Sequence, residues 1–239
     1  IIKESGAVVV GVTGSYAKSS VKSYLSKILS EKYRTYETVG NFNTPMGLSL
    51  SVKNMPQDTE IFVVEMGARK TGDIEEMCRI ARPKHGVITG IASQHMETFL
   101  SLENIMNEKG ALARYVPRGG KIVSRDLDDL SVDAEVSVFN KDFFVTDVVL
   151  SENGTTFTLD LGDKKLPLET PLLGRHNAEN VALAAVMALN LGVSEGQVAA
   201  AVKKLEPLPH RLSVEKRGGI TVIDDSYNAN PKGVRAALE

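Results

Sequence analysis

The sequence predicts an α/β fold: a mostly parallel sheet flanked by helices, with a small antiparallel β meander. Three observations carry this expectation. Short Val-rich apolar runs recur and read as strands buried on both faces. Helical patterns alternate with those runs, as parallel connections require. Near residue 135 the pattern changes to short strands joined by Asn-Gly and Gly-Asp turns.

Taken in order, residues 7–12 form the first buried strand, and Gly14 and Ser15 sit in the turn after it. Residues 19–32 follow as a helix, with Val21, Leu25, Ile28 and Leu29 on one face. Residues 61–66 are a second buried strand, ended by Gly67. Residues 71–81 are helical, and Pro83 follows their end. Residues 86–91 are a strand, 101–116 a helix and 121–123 a strand. The last helix carries Leu102, Ile105, Met106, Leu112, Ala113 and Val116 on one face, and Lys109 falls on that face too. The antiparallel region covers about 135–170, with strands at 143–150, 155–161 and 164–169. Helices return at 177–191 and 194–205, and 220–223 is a last strand. Residues 231–239 read as a helix cut short, so the sequence is expected to be a segment of a longer protein.

The chain has 239 residues, of which 42% are hydrophobic and 24% charged, enough for a core without staples. A net charge of −2 gives no general affinity for nucleic acid or an anionic membrane. Any phosphate binding must therefore be local. The single Cys78 excludes an internal disulfide framework and a multi-cysteine metal cluster, and suits a reducing, cytoplasmic setting. No apolar run approaches a membrane span.

The segment from Gly11 to Ser20 joins a buried strand to a helix. Backbone amides at a helix start, with the helix dipole behind them, favour an anion. Lys18 could reach outer phosphates, and the Ser19 hydroxyl could ligate magnesium. The plain Walker pattern fails at Val12 and Ala17. On this segment alone, an ordinary turn with an exposed lysine is an equal reading.

The loop fits a less common variant, Gly-x-Thr-Gly-Ser/Thr-x-Gly-Lys-Ser/Thr. Gly11, Thr13, Gly14, Ser15, Lys18 and Ser19 match it, and Ala17 departs. Further motifs follow: Gly40 to Gly47, Val64 to Ala68, His95 to Phe99, Gly174 to Asn180 and Asp224 to Pro231. In that order they resemble the Mur ligase family, which includes folylpolyglutamate synthetase. The resemblance covers nearly all of residues 1–239, as the family's middle, ATP-binding domain alone. The last motif is most similar to the branch that adds D-alanyl-D-alanine to a UDP-N-acetylmuramoyl peptide in cell-wall synthesis.

The resemblance implies site roles. Thr13, Gly14, Ser15, Lys18, Ser19 and Ser20 would hold the ATP phosphates. Glu65, Ser19 and His95 would hold one or two Mg²⁺ ions, where the bland reading of Glu65 is a polar strand end. His176 and Asn177 would meet the adenine, although Asn177 also suits a helix cap. Arg211 and Asp225 would lie near ribose and phosphates, with a surface ion pair as the alternative. Asn43 and Thr44 would face the substrate, or simply form a turn. Lys109 is implied to be a carbamylated lysine, against the alternative of a snorkelling side chain. Lys18, Lys109 and His95 would be the catalytic set. An N-terminal and a C-terminal ligase domain are implied but absent here, so this stretch alone is not expected to ligate. Ala17, and Ala111 where the family often has Glu, leave open a non-catalytic nucleotide-binding scaffold. Another branch, such as folylpolyglutamate synthetase, also stays open.

Overall fold

A computed structural model describes residues 5–40, 42–127 and 131–227. The helix expected over 231–239 lies outside the described residues, as do Asn41 and the end of the last motif from residue 228 on.

Six strands form one sheet: β1 (Val8–Thr13), β2 (Thr35–Glu37), β3 (Ile61–Glu65), β4 (His85–Ile88), β5 (Lys121–Ser124) and β6 (Glu135–Val138). Their order is β2-β3-β1-β4-β5-β6, and every pairing is parallel. From β1 the chain goes to the edge at β2, returns to β3 beside β1, and then crosses to β4, β5 and β6 on the other side. The carboxyl end of β1 is thus the switch point, where open α/β sheets leave a crevice for ligands.

The helices are α1 (Lys18–Leu29), α2 (Pro45–Lys53), α3 (Asp73–Ala81), the single turn α4 (Met96–Phe99), α5 (Leu102–Tyr115), α6 (Arg175–Asn190) and α7 (Glu195–Val202). Strand side chains alternate between two cores. Val10, Val12, Val63 and Val87 pack with α1, α6 and α7. Val9, Phe62, Val64 and Ile88 pack with α2, α3 and α5. No described helix is long and apolar enough to cross a membrane.

The antiparallel meander is β7 (Phe144–Ser151), β8 (Gly154–Asp160) and β9 (Lys165–Thr170). It starts later than the expected boundary near 135, because Glu135–Val138 pairs in parallel with β5. Its buried face, including Val145, Phe157 and Leu159, joins the α6 core. β10 (Ser213–Arg217) and β11 (Ile220–Asp224) form a separate antiparallel ribbon. The sequence reading also missed β2, α2 and β10. Two further expectations are corrected. Leu102 and Met106 are exposed, because α5 turns Ile105, Glu108, Lys109 and Leu112 inward instead. Asn177 is not a cap: α6 starts at Arg175 behind Gly174, leaving Asn177 inside the first turn.

The turn from β1 to α1 is dictated by close contacts. Gly14 has φ 147°, and a Cβ there would lie 2.0 Å from Thr89 Oγ1. The Ser15 amide donates to Gly90 O at 2.9 Å. Ala17 then takes a left-handed conformation, φ 64° and ψ 0°, as the cap of α1. For a residue with a Cβ this costs about 1 kcal/mol. Ala17→Gly is therefore expected to raise stability by about 1 kcal/mol in urea denaturation; an unchanged midpoint would show that the turn carries no such strain.

His85 on β4 is buried, and its Nδ1 accepts from the Lys121 amide at 3.1 Å. Burial holds its pKa down to about 4, helped by the charges of Lys84 and Lys121. Between pH 4 and 6.5 the unfolded chain takes up this proton and the native state does not. Stability is thus full above about pH 6.5 and declines as pH falls towards 4, by about 3 kcal/mol from this group. His85→Gln keeps an acceptor for Lys121 but cannot be protonated. Its loss of stability between pH 7 and pH 4.5, measured by urea denaturation, should be smaller than wild type; equal losses would refute this account.

Candidate functional site

A cleft of about 550 Å³ opens at the carboxyl ends of β1 and β3. The turn before α1 contributes Ser15 to its lining, and the first turn of α1 contributes Lys18 and Ser19. Asn43 and Thr44 border it from the α2 side, and Glu65 lies at the end of β3. His95 and Arg211 complete the predicted residues found there.

One part of this cleft suits an anion. The first bond of α1 runs from the Val21 amide to Ala17 O, so the amides just before it have no helical partner. The Lys18 ammonium donates to Ser15 O at 3.2 Å. Its pKa is lowered, first by burial and then by the Arg211 charge, while Glu65 opposes the shift. Arg211 donates to Ser19 Oγ at 3.5 Å and stacks 4.5 Å from the Tyr227 ring centroid. A helix start, an ammonium and a guanidinium thus converge.

Another part suits a cation. The Glu65 side chain is buried, with Oε1 accepting from Asn43 Nδ2 at 2.9 Å. Its Oε2 is buried with no hydrogen-bond partner among the described residues. An unpartnered buried carboxylate oxygen is expensive and is well matched by a metal ion. His95 caps α4 with a left-handed backbone, φ 54°. Its pKa is lowered, first by burial and then by Lys109, Arg69 and Lys18, so its neutral, ligating form is favoured. Among the described residues no three His, Cys, Asp or Glu side chains cluster to hold a metal. A cation at Glu65 would need ligands from water or phosphate, as magnesium commonly takes them.

The other predicted residues lie off the cleft lining. Thr13 is buried and donates to Met66 O at 2.8 Å, tying β1 to β3. Gly14 shapes the turn, and Ser20 is buried in the first turn of α1. Asn177 spends its amide inside the protein, accepting from Tyr24 at 3.2 Å and donating to Leu173 O at 2.8 Å. His176 has a buried Nδ1 without a partner among the described residues, and burial lowers its pKa. Asp225 accepts from the Leu212 amide at 3.2 Å, which fixes the strap bearing Arg211. Lys109 is buried on α5, and its pKa is pulled down to about 7, chiefly by burial and then by the Lys18 charge.

Three residues that shape the site went unnoticed in the sequence. Glu108 accepts from the amides of Gly72 at 2.8 Å and Ile74 at 2.7 Å, anchoring the start of α3 beside Lys109. Arg125, just past β5, pairs with Glu179 and sits over the rings of Tyr16 and Phe139. Lys22 is buried on α1. Only Arg125 had a usable signal, its place at the carboxyl edge of the sheet.

Comparison with known proteins agrees with this geometry. Residues 12–188 match the Mur ligase middle domain. The chain is 32% identical, over its full length, to 53% of the UDP-N-acetylmuramoyl-tripeptide–D-alanyl-D-alanine ligase of Bacillus subtilis. A MurF structure from Acinetobacter baumannii superposes with a TM-score of 0.90 at 27% identity, covering 98% of this chain and 54% of that one. A MurF ligase from Thermotoga maritima in complex with ADP gives 0.88 at 28%, covering 99% and 58%. This chain spans about half the length of the relatives it matches. With its parallel sheet, its switch-point turn and a family match over most of its residues, the chain belongs to the Mur ligase family, as that family's middle domain.

Proposed function

We propose that this chain is the ATP-binding part of a cytoplasmic ligase that joins D-alanyl-D-alanine to a UDP-N-acetylmuramoyl tripeptide. In this reading it is the middle of three domains. The observation that carries it is the pairing, in one cleft, of the Lys18 anion site with the open oxygen of Glu65. The named activity of its relatives supplies the substrates.

The reaction would be amide synthesis through an acyl phosphate. The tripeptide carboxylate attacks the γ-phosphorus of ATP and ADP departs. The dipeptide amine then adds to the acyl carbon and phosphate leaves. Lys18 and Arg211 oppose the charge on the transferring phosphoryl group, which in such reactions is most of what a protein contributes. Glu65, Ser19 and His95 would hold one or two Mg²⁺ ions, whose charge supports the phosphate oxygens. Asn43 orients Glu65 from the substrate side. Lys109 has a neutral amine in reach of ordinary pH, so it can take up CO₂ as a carbamate. That group would add a second anion to the cation site.

Calorimetry tests the central claim. Magnesium-ADP and magnesium-ATP should bind the wild-type chain, and Glu65→Gln should weaken that binding by roughly tenfold, the worth of one charged contact. Absence of heat in wild type with either nucleotide would favour a non-binding scaffold. The carbamate is tested separately by ¹³C NMR in labelled bicarbonate. A carbamate signal present in wild type and lost in Lys109→Ala is the expected result; spectra without that signal in wild type would dismiss the modification.

A further inference from the structure

Lys22 lies one turn beyond Lys18 on α1, and its side chain is only 4% exposed. A buried ammonium is costly unless its donors are used. Here they are. Nζ donates to Thr38 O at 2.6 Å and to Gly40 O at 3.0 Å, with Glu37 Oε1 at 3.5 Å. The loop after β2 is thereby fastened to the helix that begins at the anion site.

Thr38 is the node of this arrangement. It is fully buried, its amide donates to Val63 O at 3.0 Å, and its hydroxyl accepts from the Glu65 amide at 3.0 Å. The same loop runs on to Asn43. Asn43 holds Glu65 Oε1 through its side chain and accepts from the Gly67 amide at 2.9 Å through its carbonyl. Bonds therefore lead from α1, through Lys22 and Thr38, to the backbone of Glu65, while Asn43 holds one oxygen of its carboxylate. The ion pair with Glu37 alone would not need the two carbonyl bonds, since Glu37 reaches solvent with 32% of its side chain exposed.

We propose that Lys22 is a positioning residue: it fastens Thr38 and Gly40 to α1, so that Thr38 fixes the Glu65 backbone where Asn43 can aim its carboxylate at the cleft. This rests on the reading of Glu65 as a cation ligand, but the lock itself does not. Removing Nζ leaves the buried Thr38 carbonyl without this donor and releases Thr38 and Gly40 from α1. The anion site and the cation site are then no longer held in one frame.

Amide hydrogen exchange tests the lock without any ligand. In Lys22→Met the amides of Thr38, Phe42 and Gly67 should exchange at least tenfold faster than in wild type. The amides of Phe157 and Leu159 in the meander should keep their wild-type rates and report an intact fold. A folded Lys22→Met protein with unchanged loop protection would overturn the proposal. Should that variant fail to fold, Lys22→Arg is measured the same way. It keeps the charge but not the paired geometry, and loop exchange at least threefold faster is expected, with wild-type protection again overturning the idea. A second arm titrates Mg²⁺ in the presence of ADP. The Mg²⁺ concentration at half-saturation should rise at least threefold in the variant, and an unshifted value would show that Lys22 does not act through Glu65. If wild type binds no nucleotide, the proposed function fails and the exchange arm alone still decides the role of Lys22.

Discussion

A carboxylate that is almost wholly buried, with one oxygen left unsatisfied, is the constraint around which this cleft is built. Glu65 is 1% exposed and stands at the end of a strand buried along its whole length. Such a group is tolerable only if charge or hydrogen bonds come to it. The protein answers on three sides. Asn43 takes one oxygen, Thr38 holds the backbone amide, and the Lys18 charge stands opposite, felt strongly enough to oppose the lowering of the Lys18 pKa. The remaining oxygen meets no hydrogen-bond donor among the described residues. The parallel sheet makes this possible, because it delivers strand ends and helix starts to one edge.

Positive charge dominates the rest of the neighbourhood. After burial, the Arg211 charge disfavours the proton of Lys18, the Lys18 charge that of Lys109, and Lys109, Arg69 and Lys18 together that of His95. A chain with a net charge of −2 concentrates cations here against its overall balance. Two acids beside this region hold the frame. Glu108 takes two amides at the start of α3, and Glu179 takes Arg125. Glu108 also opposes part of the positive charge at Lys109.

What could be read from the sequence follows from how each element is buried. β1, β3 and β4 are covered on both faces, so they appear as unbroken apolar runs. The turn after β1 and Glu65 could be placed because they adjoin those runs. β2 is three residues long and only half-buried, too short to show a period. α2 had a readable start in Thr44-Pro45, since Thr44 caps it and proline suits a first turn, but two small polar residues obscure its apolar stripe. β6 carries no signal that separates it from the meander, because parallel pairing leaves no turn beside it. Lys109 stood out as a charge on an apolar face. Lys22 did not, because a lysine beside the apolar stripe of a helix ordinarily points to water. Its burial depends on Thr38 and Gly40, brought in by a loop that the helix pattern does not reveal.

Ala17 shows how far a site can depart from its family pattern and keep its shape. A Cβ in the left-handed region is unfavourable, yet the turn forms with φ 64°. The contacts that impose this shape lie elsewhere. Gly14 fits beneath Thr89 with no room for a side chain, and the Thr89 hydroxyl donates to Tyr16 O at 2.5 Å. The amides of Ser15 and Tyr16 both reach Gly90 O, at 2.9 and 3.3 Å. The Ser15 hydroxyl donates to Ala92 O at 3.0 Å. With residues 14–16 pinned to the loop after β4 and α1 beginning at Lys18, residue 17 has little conformational choice left. Glycine at that position would lower the energy of the turn without being needed to define it. The anion site is therefore a property of the contact between the β1 and β4 loops, and a motif read along one segment sees only half of it.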